Sequence, residues 1–531
     1  MVQEVWCGTA GADEPFAPTV SVKKWGAVGD GMTDDAPAVQ HAIDNITSGQ
    51  TLIFPPGVYM LSKGLVLMNK RDISLAGVGR ATCRPGELPQ CRPAELRMVS
   101  TWVKHQNPQV PQAPANRMIN IAGSRSVTIR DLVLNGNMNN TQPHHVYNGY
   151  GVGAAVSTDV AFLSLSVKNL GGEGMMGEGA VRLRIEDCIT DNVNHAINTY
   201  SESTYVNIRR NFLRHNSFCI LVEGSNNIGI EGNTCEQQAA YNLTFYPFDP
   251  KQPTQPPNVT EPKGGIVLAN NAQLGTLDSA TVTGNIVQSN RLDNSNGIWL
   301  NGDDGGGNIT YFGNVVVVGN QVHNSYKYGI KAEGAAMAGV VVASANQIHS
   351  CGRANEPGEQ QVENTGDSIE GGGIMGVHVA SGNFISTVST TGTTAIKDTV
   401  VASGNHIRGF QGRMFDNVSS ATGNWPQIEL GEVSSNVLDA TNQQTIVTGT
   451  TTVAGASAHQ IIGLANGVQG QLVTLIARAP TTLVHDQIID GGLGQPVKTR
   501  SGNSKTLGAY ESVRLLLDRG YWQEIVDSCS M

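Results

Sequence analysis

The chain has 531 residues, enough for two or more domains or for one elongated repeat. Charged residues at 15% with 63 glycines suit a turn-rich β chain rather than a helical bundle, and 39% apolar residues, evenly spread, exclude disorder. The net charge of −10 argues against a nucleic-acid partner, which wants a broad basic face; an acidic glycan would need only a local basic patch.

Residues 1–19 carry Glu4, Asp13 and Glu14 and no apolar core of the kind a secretory signal has. No run of 18 apolar residues occurs, so no membrane insertion is expected. A protein exported with its leader removed, or carried out on a virion, would read this way. From Asp34 to Ile43 an early Pro37 and an amphipathic pattern predict a short helix. The strand Thr51-Leu52-Ile53-Phe54 and the turn Pro55-Pro56-Gly57 follow. Cys83 and Cys91 bracket a Pro- and Gly-containing loop and could pair; the other six cysteines show no zinc-type spacing and read as buried thiols.

Further on, short apolar cores recur. Their central residues, Val152, Met175, Ile197 and Ile220, are separated by 23, 22 and 23. Ile266 lies 46 residues further, read as two such steps with a Pro-rich loop at 246–262; Ile298, Ile330 and Ile374 follow at 32, 32 and 44. A small residue followed by Asn recurs at Asn233, Asn285, Asn320, Asn346, Asn383 and Asn405, where Asn suits a left-handed turn. A unit of two short strands and a turn is too short for a βαβ repeat. A parallel coil resolves it, each strand pairing with its equivalent one repeat away. The open end of such a stack needs a cover, and the helix at residues 34–43 supplies one.

The opening Val20-Ser21-Val22-Lys23-Lys24-Trp25-Gly26-Ala27-Val28-Gly29-Asp30-Gly31-Met32-Thr33-Asp34-Asp35, then residues 38–42, then Ile53-Phe54-Pro55-Pro56-Gly57-Val58-Tyr59, resembles the start of the pectate-lyase-like β-helix superfamily. That group includes polysaccharide lyases, glycoside hydrolases and bacteriophage tailspikes. The resemblance implies an all-β, right-handed parallel β-helix over residues 20–440 with an N-terminal capping helix, and a polysaccharide ligand. From about residue 445 the Asn turns fade, and strands are expected at 471–477, 512–517 and 521–525. This tail, 445–531, is similar to the small β-sandwich behind the helix in many tailspikes, which implies trimerisation or sugar binding and hence a homotrimer.

A coil register lets outer columns be read from the sequence. With each apolar centre as position zero, position three gives Glu178, Tyr200, Glu223, Asn301 and Glu333; position one gives Met176, Asn198, Leu221, Trp299 and Lys331. Coils stack ~4.8 Å apart, so these residues form a polar, partly aromatic stripe. Glycoside hydrolysis needs two carboxylates, one to protonate the leaving oxygen and one for water or the anomeric carbon. Asp303, Asp304 and Glu333 on adjacent coils are candidates, with Trp299 to stack on a sugar and Lys331 and Asn301 to bind it. Asp303-Asp304-Gly305-Gly306-Gly307 also fits a solvated turn; no cofactor is expected, with calcium at Asp303 and Asp304 only a weak alternative because two acids are too few ligands.

A second cluster is Glu178, Asp191, His195, Tyr200 and Glu223, in which Glu178 and Glu223 stand two coils or ~9.6 Å apart. Arg210, with Arg209, could bind a uronate for β-elimination, or could simply be a charged strand edge. The paired-Asp and Gly-His-Gly pattern of polygalacturonases is absent, as is the calcium acid cluster of pectate lyases, which weighs against pectin. The leading expectation is a glycosidase acting on capsule or O-antigen. The alternatives are a lyase or epimerase of uronic-acid glycans and a non-catalytic adhesin.

Overall fold

The computed structural model describes residues 18–79, 81–82, 93–99, 117–137, 149–216, 218–236, 264–269, 277–288, 296–302, 313–325, 327–333, 339–352, 371–386, 394–408, 413–422 and 424. Beyond these it describes 437–439, 445–448, 459–461, 463–465, 472–477, 481–486, 495–507 and 512–525. The expected Cys83–Cys91 pair and the acids Asp303 and Asp304 lie outside these residues.

Residues 19–422 wind into a right-handed parallel β-helix, each strand pairing in parallel with its equivalent in the next coil. Three sheets run along it. The first contains Arg117–Ala122, Tyr150–Ala155, the ends of Ser166–Glu178 and Ile189–Tyr200, Phe218–Glu223, Gly264–Ala269, Asn296–Asn301 and Tyr328–Glu333. The second contains Arg125–Arg130, Thr158–Leu163, Val181–Glu186, Thr204–Arg209 and Asn226–Glu231. The third contains short strands such as Phe212–Arg214, Thr234–Glu236 and Ile286–Gln288. The helix Ala36–Asn45 closes the lower end, burying Ala36, Val39, Ala42 and Ile43. Asp35, just before it, uses its carboxylate to accept the Val28 and Gly29 N–H groups at 2.5 and 2.9 Å, tying the cap to the opening turn.

The register follows the sequence reading. Val152, Met175, Ile197, Ile220, Ile266, Ile298, Ile330 and Ile374 pair in succession and are fully buried. One step differs. Ile220 pairs directly with Ile266, so the 46-residue interval is a single coil with an insertion. The residue before each centre also points inward: Met118, Ala196 and Cys219 belong to the core. At Gly151, Gly174 and from Gly265 up to the coil of Ile374 that place is glycine because the core has no room. A Cβ on Gly297 would meet Val322 at 2.2 Å, and one on Gly329 would meet Ile348 at 2.4 Å. Cys188, Cys219, Cys235 and Cys351 are free and buried, as their spacing suggested.

The asparagines have a different role from the one expected. None of the recurrent Asn residues is left-handed; the residues before them are, at Gly232, Gly284, Gly319, Ala345, Gly382 and Gly404. The Asn side chains turn inward and form a buried ladder from Asn211 through Asn233, Asn285, Asn320, Asn346, Asn383 and Asn405 to Asn424. Each Nδ2 donates to the next Oδ1 at 2.8–3.0 Å. Each Oδ1 also accepts the backbone N–H of the Asn one coil below, and each Nδ2 also donates to a main-chain carbonyl. The corner thus satisfies polar groups that water cannot reach.

The tail contains the three expected strands, at Leu472–Ala477, Ser512–Asp518 and Tyr521–Ile525, the last two forming an antiparallel hairpin. Among the described residues they belong to a seven-stranded sheet, and His459–Ile461, Thr481–Leu483 and Lys505–Leu507 form a separate three-stranded sheet. The core of this region includes Leu475, Leu515 and Trp522, whose Nε1 donates to Leu464 O at 3.2 Å.

The ladder makes a quantitative prediction. Asn320→Ala strands the Asn285 backbone N–H and Nδ2 without their Oδ1 acceptor. Urea unfolding should show a loss of about 3 kcal/mol. Thr281→Ala on the exposed face should stay within about 0.5 kcal/mol.

Candidate functional site

The first sheet brings the position-three residues into one column: Glu178 beside Tyr200, then Glu223, Ala269, Asn301 and Glu333. Position one aligns Gly153, Met176, Asn198, Leu221, Val267, Trp299 and Lys331. The sequence reading missed a third column. Because two successive residues point inward at the corner, the residue two before each centre returns to the outer face. Tyr150, Glu173, His195 and Phe218 occupy that place, and Arg117 begins it. Strict alternation would have put them in the core; of these the sequence reading had named only His195, and reading position minus two as outward would have found the others.

These columns make a compact polar cluster in the lower coils. Arg117 lies across Gly153, where an added Cβ would stand 3.0 Å from its Cδ and 3.1 Å from its Nε. The missing side chain lets the guanidinium climb. Its Nη1 donates to Asn120 Oδ1 at 3.0 Å, and its Nη2 to Glu178 Oε2 at 2.6 Å and the Tyr200 hydroxyl at 3.4 Å. Burial opposes its charge, but Glu178, Tyr200 and Glu173 together raise its pKa. An irregularity in strand Ser166–Glu178 between Leu170 and Glu173 shifts the register and sets Glu173 beside His195. Asn198 Nδ2 donates to Glu173 Oε1 at 3.0 Å, and His195 Nδ1 stands 3.9 Å from the same oxygen. The His195 ring meets Phe218 edge-on at 5.0 Å.

Four buried atoms here have no hydrogen-bond partner among the described residues: Glu173 Oε2, both ring nitrogens of His195, and Asn198 Oδ1. The two tyrosines are perturbed. Burial first, then the charge of Glu173, pushes Tyr150 up to about 12, and the same causes push Tyr200 higher still. Both phenols keep their protons at neutral pH. The arrangement offers a guanidinium, an imidazole, phenolic protons and unused acceptors within one patch.

The other expected residues are placed differently. Trp299 is not an open platform for a sugar. It is 6% exposed, packed with Phe218, Leu221 and Val267, because position one turns apolar in these coils and the stacked side chains cover one another. Lys331 pairs with Glu333 on its own strand. Asn301 and Glu223 keep their places in the position-three column. Arg210 lies away from the first sheet, at the corner between the second and third sheets, where it donates to Asp187 at 2.8 and 2.9 Å and to Glu186 at 3.4 Å. Its neighbours are protein carboxylates, so it is a coil-to-coil tie. Asp191 is likewise engaged, by Arg214 at 2.7 Å and His215 at 2.6 Å. Among the described residues no group of three or more His, Cys, Asp or Glu stands close enough to hold a metal ion. No described helix is long and apolar enough to cross a membrane.

Residues 19–86 match the family model described as rhamnogalacturonase A/epimerase, pectate lyase-like. The match contains the opening signature noted in the sequence. Two curated relatives, the mannuronan C5-epimerases AlgE1 and AlgE4 of Azotobacter vinelandii, are each 29% identical over 180 residues, 32% of this chain. The matched stretch spans 12% of the first and 30% of the second, so the chain covers less than a third of either. Among solved structures, the A-module of the A. vinelandii mannuronan C-5 epimerase AlgE6 is similar with a TM-score of 0.49 at 17% identity, covering 77% of this chain and 100% of that one. An exopolygalacturonase from Thermotoga maritima is similar with a TM-score of 0.44 at 13% identity, covering 76% and 91%.

The half-buried phenols give a pH signature. Tyr150 ionises near 10 when unfolded and at about 12 when folded. Between those values the folded state holds a proton that the unfolded state has lost, so stability falls as pH rises through this window. Tyr200 acts in the same direction. Urea unfolding from pH 9 to 11 should show a shallower decline in Tyr150→Phe than in the parent chain.

Proposed function

We propose that this chain is a polysaccharide-modifying enzyme that removes the C5 proton of a uronic acid residue bound against the lower coils of the first sheet. The observation that carries the reading is the set of partnerless buried atoms on Glu173, His195 and Asn198. A buried polar group left unpaired costs about 1–3 kcal/mol, so a ligand rich in hydroxyls and carboxylate oxygens would recover that cost. Arg117 supplies positive charge where a sugar carboxylate gains negative charge as C5 is deprotonated. The neutral form of an imidazole leaves one ring nitrogen as an acceptor, so His195 is placed to take that proton. Tyr200 keeps its phenolic proton and is the donor.

Two outcomes share these steps. In epimerisation, Tyr200 returns a proton to the opposite face of C5. In β-elimination, the C5–H and C4–O bonds break, a C4=C5 double bond forms, His195 gains one proton and Tyr200 gives one to the leaving oxygen. The relatives named mannuronan C5-epimerases support testing epimerisation first. Their limited overlap with this chain makes the substrate part of the proposal. So are an extracellular or virion location and a homotrimeric assembly.

A second reading is glycoside hydrolysis of a bacterial capsule or O-antigen. Glu178 and Glu223 favour it, since they share one column two coils apart, or ~9.6 Å. That separation is at the upper limit for an inverting pair. The tight Arg117 contact at 2.6 Å weighs against Glu178 as the proton donor. Glu333, with Lys331 and Asn301, is an alternative carboxylate for the same chemistry.

Incubation with polyuronates in deuterated water separates the readings. Deuterium at C5, with inverted residues or an ultraviolet-absorbing unsaturated product, is the expected result. His195→Ala and Tyr200→Phe should each lower kcat/KM by about 10²–10⁴-fold while the far-ultraviolet spectrum is kept. New reducing ends without C5 exchange would establish hydrolysis instead. Tight binding with neither product would leave a non-catalytic adhesin.

A further inference from the structure

We propose that the outer face of the second sheet carries a second binding site, separate from the cluster around Arg117, that holds a stretch of anionic polysaccharide. The site is a groove of about 520 Å³ across four successive coils. Thr128, Ala161, Arg184 and Asn207 are register neighbours along one column. They share the outer face because the residues flanking them, such as Val127, Leu183 and Ile208, point into the core. A second column runs beside the first: Ser126, Asp159, Arg182 and Tyr205 all have left-handed backbone, with φ of 53, 57, 56 and 57°. Repeated in each coil, that conformation sets their side chains in a row along the groove. Ala161 supplies only a methyl between Thr128 and Arg184, which leaves the depression.

The charges in the groove are unequal. Asp159 is the carboxylate lining it, and it is already satisfied, accepting from Arg182 at 2.5 and 2.9 Å with Arg125 at 3.7 Å. The bidentate contact fixes Arg182 in place. Arg184 is exposed and makes no hydrogen bond or ion pair with any described residue. Two guanidiniums, Arg182 and Arg184, therefore line the groove with one carboxylate, on a chain whose net charge is −10. Tyr205, 54% exposed, offers an open ring of the kind that stacks on a sugar face. Asn207, Thr128 and Ser126 add neutral hydrogen-bonding groups. Guanidinium, aromatic face and short polar side chains along an open groove suit an extended acidic glycan. The glycan class rests on the proposed function; the presence of an anion-binding groove does not.

Affinity electrophoresis of the full chain, carrying His195→Ala to prevent turnover, tests this in gels containing polygalacturonate, a sulfated glucan or a neutral glucan. The polyuronate should retard the protein, and the neutral glucan should not. Arg184→Ala with Tyr205→Ala should weaken binding about tenfold and lower the salt dependence by about one ion. Arg184→Gln alone should give part of that effect and serves as the milder variant if the double one is unstable. Equal Arg184-dependent retardation by the sulfated glucan assigns the groove to anionic glycans generally; a response to polyuronate alone narrows it to carboxylates. Unchanged polyuronate binding in both variants overturns the proposal. So does competition by single-stranded DNA equal to that by polyuronate. Arg184-dependent binding by a parent chain that never exchanges C5 protons would leave this site standing and remove the proposed activity. C5 exchange with Arg184-independent binding would do the reverse.

Discussion

Each coil of the helix is held to the next by main-chain hydrogen bonds between parallel strands, and from Asn211 upward also by a buried amide at one corner. A buried amide has two donors and an acceptor to satisfy, and water cannot help at that depth. Stacking identical amides solves this once per coil, because each Asn supplies what its neighbour lacks. The arrangement tolerates no slip in register. The register holds across the long interval between Ile220 and Ile266, which still pair directly. Below Asn211 the device changes. Cys188 occupies the equivalent place, its N–H donating to Asn211 Oδ1 at 2.9 Å.

Fixed register makes the outer surface columnar. Side chains far apart in sequence come together only by climbing the same face, as Arg117 does to reach Glu178 and Tyr200. The climb needs a gap, and Gly153 provides it. The lower coils of the first sheet are polar and carry unpaired buried atoms. From Phe218 upward the position-one column turns apolar through Leu221, Val267 and Trp299, which close on one another, and position three keeps Glu223, Asn301 and Glu333. The His195–Phe218 contact marks the boundary between the two. An apolar wall beside a polar cluster lowers the local dielectric and strengthens the charged contacts within it.

Charge is distributed by the same geometry. The acidic excess of the chain is not uniform over the coils. On the second sheet Arg182 and Arg125 are drawn to Asp159 and Arg184 pairs with no described residue, whereas Arg210 one coil higher is consumed by Asp187 and Glu186. Whether an arginine is available or spent depends on which acids its register neighbours supply.

The sequence by itself determined the coil. A spacing of 22–23 residues between apolar centres, with glycine or another small residue before several of them, reflects strands that must stack core on core. The outer column of Glu178, Tyr200, Glu223, Asn301 and Glu333 followed directly, because side-chain alternation is local. Tertiary structure decided the rest. The double inward turn at the corner, which exposes Arg117, Tyr150, Glu173 and His195, depends on how one sheet bends into the next. The role of the asparagines depended on neighbours one coil away, so a local turn preference assigned the left-handed conformation to Asn when the preceding residue adopts it. The burial of Trp299 and the pairing of Arg210 were likewise hidden, since both are set by residues a full coil distant in sequence and only ~4.8 Å distant in space.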